Sequence, residues 1–192
     1  MGSHERDGRS TADEDYGELV RGPGRAVVRF RRRFRHPPET VWRALTEPEH
    51  LAAWFPSTIE GEHRAGAVLH FRFPDMEAPP LEGEMLSFTA PSLMELRWGD
   101  EILRFELEPH EGGTTLLFTA AFDQIGKTAR DGAGWHSCLD LLGFEVDARP
   151  APWSSADRWR EVRADYIERF GTEASTVGPP EEWERVHGPA GD

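Results

Sequence analysis

From Ser57 to Phe122, apolar side chains recur at every second position, and glycine and proline interrupt them at short intervals. Leu69, Phe71 and Phe73 alternate with Val68, His70 and Arg72, and Met94, Leu96 and Trp98 alternate with Leu93, Glu95 and Arg97. Leu103, Phe105 and Leu107 repeat the pattern around Arg104 and Glu106, as do Leu116, Phe118, Ala120 and Phe122 among more mixed neighbours. A period of two sends alternate side chains to opposite faces of a strand. Turn chemistry at Gly66, Pro79-Pro80, Pro91-Ser92, Gly99-Asp100 and Gly112-Gly113 makes successive strands hairpins. The text therefore predicts an antiparallel meander with one buried face, and other segments must cover that face.

The flanking segments supply the cover. Arg25 to His36 predicts a first strand, with Val28, Phe30 and Phe34 on one side and Arg29, Arg31, Arg33 and Arg35 on the other. Pro37 and Pro38 end it, because proline donates no ladder hydrogen bond. Helical spacing follows, with Val41, Trp42 and Leu45 on one stripe, and Pro48 divides this stretch into two short helices. Beyond the meander, Trp135, Cys138, Leu139, Leu142 and Val146 share a narrow stripe of one long helix, whose opposite face carries His136, Asp140 and Asp147 and is expected to be wet. A further helix starts at Ser154 or Ser155, buries Trp159, Val162, Tyr166 and Phe170, and stops at Gly171. The expected fold class is α+β, a helix-grip arrangement: a curved antiparallel sheet wrapped around a long C-terminal helix, with two short helices after the first strand.

A chain of 192 residues with 38% hydrophobic content supports one core. The expected division is a disordered arm over residues 1–24, a single domain over 25–171 and an acidic Pro/Gly-rich tail over 172–192, with a short helical turn near Glu181 to Val186. Net charge is −13 and disfavours nucleic acid as a partner. No segment resembles a signal peptide or a span of roughly 18 apolar residues, so a cytoplasmic location is expected. Lys127 is the single lysine, and this arginine-rich usage suggests a bacterial source. The single cysteine, Cys138, excludes an intrachain disulfide and reads as a small buried hydrophobe.

No nucleotide-binding glycine loop, zinc-protease helix or nucleophile elbow is present, so no catalytic residue is assigned and no cofactor or metal is expected. His136 and Cys138 lie about 200° apart on a helix and cannot share an ion. Phe71, Phe73, Trp98, Phe105, Phe118 and Trp135, with Leu69, Leu96, Leu139 and Leu142, either line a ligand cavity or simply fill the core. Arg32 falls on the apolar face of its strand, so it must meet a carboxylate or backbone carbonyls, or else anchor an anionic head group. The basic stripe Arg29 to Arg35 reads as a solvated face paired with an acidic strand or with the acidic arm. His70 and Asp140 are the acid–base candidates if either faces inward.

The strand and helices VVRFRRRFRHPPETVWRALTEPEHLAAWF resemble the signature of the activator of heat shock protein 90 ATPase homologues, a family within the START-like, or SRPBCC, superfamily. Gly83-Glu84, Gly112-Gly113-Thr114, Gly134-Trp135-His136 and Cys138-Leu139-Asp140 are similar to bacterial members. The resemblance covers about residues 25–171. It implies a cavity between sheet and helix holding a hydrophobic or lipid-like ligand. Its alternatives are a chaperone-regulator interaction domain and a cavity enzyme of the polyketide cyclase type. The eukaryotic co-chaperone carries a separate chaperone-binding domain that the 24-residue arm cannot supply, so the implied partner is a small molecule first and a chaperone second.

Overall fold

The computed structural model describes residues 14–22, 24–74 and 79–188. Eight strands form one antiparallel sheet: β1 (Glu18–Arg21), β2 (Ala26–Phe34), β3 (Thr58–Gly61), β4 (Val68–Arg72), β5 (Leu81–Thr89), β6 (Leu93–Trp98), β7 (Glu101–His110) and β8 (Gly113–Phe122). Their spatial order is β1-β2-β8-β7-β6-β5-β4-β3, so the meander from β3 to β8 closes on the first long strand. Between β2 and β3 lie α1 (Pro38–Thr46) and α2 (Pro48–Leu51). After β8 come a 3-10 turn (Ile125–Lys127), α3 (Thr128–Val146), α4 (Ser155–Phe170), a second 3-10 turn (Thr172–Ser175) and α5 (Glu181–His187). This is the helix-grip architecture.

Alternation decides which face is core. Along β2 the buried positions are Ala26, Val28, Phe30, Arg32 and Phe34, and along β7 they are Glu101, Leu103, Phe105 and Leu107. Helix α3 lies on this face, its Trp135 ring 5.0 Å from that of Phe118. Phe71, Phe105, Phe118, Leu69, Leu96 and Leu142 have no exposed surface. Burying each such side chain stabilises the fold by roughly 1.5–3 kcal/mol relative to exposure. Helix α4 begins with a capping box, in which Ser154 accepts from the Asp157 backbone and Asp157 answers at the Ser154 backbone. Its Trp159, Val162, Tyr166 and Phe170 are all buried, and it stops at Gly171, where φ is 82°.

Three expectations need correction. The segment read as a disordered arm contains β1, which pairs Glu18 to Arg29 and Arg21 to Ala26 along the edge of the sheet; residues 1–13 lie outside the described residues. The acidic tail packs on the domain: Ala174 is fully buried, the Val177 N–H donates to Gly126 O at 3.0 Å, and Trp183 lies against Trp159 with ring centroids 4.6 Å apart. Third, on the face of α3 expected to be wet, α4 and Tyr16 cover His136, which is 1% exposed, and Asp140 is also largely buried, whereas Asp147 is exposed as expected. The apolar stripe of α4 needed a surface to bury against, and α3 provided it.

Candidate functional site

A pocket of about 480 Å³ opens where the β6–β7 hairpin, the first half of α3, the start of α4 and the tail meet. Its walls are mainly apolar, with Phe73, Trp98, Trp135, Trp159 and Trp183 all contributing. The strand pattern explains the sheet side. Trp98 is in phase with the buried Met94 and Leu96, and Glu101 is in phase with Leu103 and Phe105, so both turn toward the helices. Gly134 of α3 lines the pocket without a side chain, and a Cβ there would meet only Trp159 Cδ1, at 4.0 Å.

The polar groups of this wall form a small charged set. Glu101, 8% exposed, takes Lys127 Nζ at 3.2 Å through Oε1, and Lys127 also reaches Asp123 Oδ1 at 2.8 Å. Burial and the nearby Asp131 carboxylate push the Glu101 carboxyl up to about 7, against the pull of Lys127. Arg130 pairs through two nitrogens with Asp131, at 2.5 and 2.8 Å, and its backbone carbonyl accepts from Trp159 Nε1 at 3.0 Å. Cys138 also lines the pocket, and burial raises its thiol to about 12, which keeps it protonated and unreactive.

Of the residues expected to line a cavity, Phe73, Trp98 and Trp135 do so. Leu69, Phe71, Leu96, Phe105, Phe118, Leu139 and Leu142 are instead packed together beneath it, in the core between sheet and α3. Large rings fill that space: Phe105 and Phe118 are 4.6 Å apart between centroids, and Trp54 meets Phe105 at 6.2 Å. Glu101 escaped the sequence reading although its phase in β7 marked it as an inward carboxylate. Trp159 and Trp183 escaped it because only the tertiary fold brings the two helices to the hairpin.

Arg32 lies outside the pocket, in a second polar cluster. Its Nη2 is 3.3 Å from Asp140 Oδ1, and its Nη1 donates to the Asp15 carbonyl. Asp140 also takes Arg158 Nε at 2.8 Å and lies 3.2 Å from His136 Nε2. His136 Nδ1 faces the Tyr166 hydroxyl at 3.1 Å, and that hydroxyl accepts from the Gly17 N–H at 2.8 Å. Burial opposes ionisation of Asp140, but the hydrogen bond with His136 and the charges of Arg32 and Arg158 hold its pKa below the usual value. Burial lowers the pKa of His136 despite Asp140. The expected partner of Arg32 is thus found, and the cluster ties sheet, both long helices and the N-terminal segment together. In β4, His70 is half-buried and pairs in register with Glu60 and Glu82. Of the basic stripe on β2, Arg33 reaches Glu14 at 3.6 Å.

Among the described residues no helix is long and apolar enough to cross a membrane, and no three His, Cys, Asp or Glu side chains converge on one point suited to a metal. Several solved structures share the fold. CalU16 from Micromonospora echinospora is 22% identical over 80% of this chain and 98% of its own, with a TM-score of 0.63. EF2215 from Enterococcus faecalis, a conserved protein of unknown function, is 22% identical over 80% and 89%, with a TM-score of 0.66. MLL2253 from Mesorhizobium loti is 23% identical over 65% and 99%, with a TM-score of 0.57. No curated protein matches the chain. A family model does match, over residues 35–145, from the end of β2 through most of α3, and by that match the chain belongs to the Activator of Hsp90 ATPase homolog 1-like protein family.

Proposed function

We propose that this protein binds an apolar small molecule in the pocket between the β6–β7 hairpin, α3, α4 and the tail. The observation that carries the proposal is a concave space of about 480 Å³ with four tryptophans in its walls. Small-molecule sites commonly have roughly 300–1,000 Å³ and a mostly apolar lining with few polar groups. Each Å² of apolar surface the ligand buries contributes about 25 cal/mol before the costs of immobilisation. The filled core beneath gives the pocket a rigid floor, so little binding energy goes into reorganising the protein.

Gly134 provides the test. A leucine there projects into the pocket, while replacing a glycine inside a helix favours folding by up to about 1 kcal/mol. Native mass spectrometry and thermal shift with flat aromatic ligands should show a stabilised complex for the natural chain. Gly134→Leu should melt at the same temperature or higher and show no response. Equal ligand responses from both chains would place the ligand elsewhere.

A further inference from the structure

Trp98 and Glu101 are direct partners in the register of the β6–β7 hairpin, so their side chains leave the same face of the sheet as neighbours. Each keeps one buried polar atom without a hydrogen-bond partner among the described residues, Nε1 of Trp98 and Oε2 of Glu101. The indole N–H can only donate, and an ionised carboxylate oxygen can only accept. Folded chains seldom leave buried polar atoms unpaired, and the two residues that carry these atoms both line the pocket.

The surrounding charges narrow the choice further. Lys127 is held between Glu101 and Asp123, and Arg130 is committed to Asp131. Of the side chains that line the pocket, Glu101 and Asp131 are carboxylates and Arg130 is a cation already paired with Asp131. An anionic head group would meet excess negative charge in a desolvated setting.

We infer that the pocket selects a flat apolar molecule presenting an N–H donor beside a carbonyl acceptor, as in a cyclic amide, and discriminates against carboxylates, fatty acids included. The ligand carbonyl accepts from Trp98 Nε1 and its N–H donates to Glu101 Oε2. This selection rests on the pocket being the ligand site, as proposed above.

Calorimetric titration of the full chain with phenanthridinone, its N-methyl derivative and phenanthrene-9-carboxylate tests it. The cyclic amide should bind about tenfold more tightly than its N-methyl derivative, which lacks the donor, because a buried acceptor is then left unpaired. The carboxylate should bind most weakly. Trp98→Phe and Glu101→Leu each remove one half of the pair, and Glu101→Leu should bring the amide and its N-methyl derivative to within about twofold of each other. Equal binding of the two amides by the natural chain, or tightest binding of the carboxylate, would overturn the selection and leave the pocket proposal standing. Failure of all three probes to bind would overturn both.

Discussion

Arg32 of β2 and Asp140 of α3 lie 3.3 Å apart, nitrogen to oxygen, with side chains 8% and 17% exposed. This contact joins the sheet to its central helix in a place where neither charge has much water. Asp140 serves three partners, Arg32, Arg158 and His136, whereas Arg32 serves Asp140 and the segment around Asp15. The two residues are therefore unequal. Asp140→Ala takes the buried carboxylate from Arg32, which keeps the segment around Asp15, and from Arg158, which keeps Glu161, and should cost about 3 kcal/mol, the low end of the penalty for breaking a buried ion pair. Arg32→Met leaves Asp140 with two partners and places an apolar side chain beside Phe30, at a cost of about 1–2 kcal/mol. Urea unfolding of the two variants checks the order, and equal losses would contradict it.

Two glycines of the sheet differ sharply from Gly143 of α3. A Cβ at Gly83 would stand 2.1 Å from Arg97 O and 2.6 Å from Phe71 Cε2, and one at Gly113 would stand 1.9 Å from Phe34 O, where φ is also 156°. Backbone cannot yield to relieve either overlap. Gly83→Ala should cost about 3 kcal/mol or more. Gly143→Ala meets nothing within 4 Å and should stabilise the chain by about 0.5–1 kcal/mol. Thermal melts of the pair should move in opposite directions.

The strands and their inward faces were legible because a period of two leaves little freedom: once Leu103, Phe105 and Leu107 point inward, so do their partners on β6 and β8. The same rule marked Arg32 as needing a partner. It did not name Asp140, because a helical wheel reports which face of α3 is polar and not what covers that face. The wheel alone puts His136 and Asp140 on a wet face, although the stripe Trp159, Val162, Tyr166 and Phe170 announces a second helix in need of a surface. The pocket was legible only in fragments. Trp98 and Trp135 were visible as aromatics, but the choice between lining and filling depends on volumes that sequence does not state. The tail wall of Pro179, Pro180 and Trp183 came from a segment whose composition suggests only an acidic Pro/Gly-rich tail with a short helical turn.

Three groups shape the pH dependence, Glu101 with one sign and His136 and Asp140 with the other. Glu101 ionises near 7 in the fold and at 4.5 in the open chain, so its contribution is complete below pH 4.5 and is lost as pH rises through 7. The full difference is on the order of 3 kcal/mol. His136 has a folded pKa below 6.5, so stability is lost as pH falls beneath that value, when the buried ring must take a proton. Asp140 extends the acid loss below 3.8. Glu101→Gln cancels only the alkaline limb. Measured by denaturant midpoint between pH 4.5 and 8, the variant should gain on the natural chain as pH rises. A difference independent of pH would mean that Glu101 titrates normally.

Trp183 separates affinity from selectivity. It is half-buried, stacks on His187, packs at a tilt against Trp159, and lies under Arg160, whose Cζ is 5.6 Å from its ring centroid. It stands on the pocket wall away from the β6–β7 hairpin, so it touches no group that distinguishes one ligand from another. Removing it opens the wall without disturbing Trp98 or Glu101. If a flat ligand covers roughly 60 Å² of the indole, the loss is about 1.5 kcal/mol, or tenfold in affinity. Trp183→Ala should therefore weaken phenanthridinone and its N-methyl derivative by the same factor and preserve the ratio between them, whereas Glu101→Leu should change that ratio. Calorimetry on the two variants in parallel distinguishes the apolar wall from the polar pair. A change of ratio in Trp183→Ala would show that the tail helix holds the ligand in its orientation.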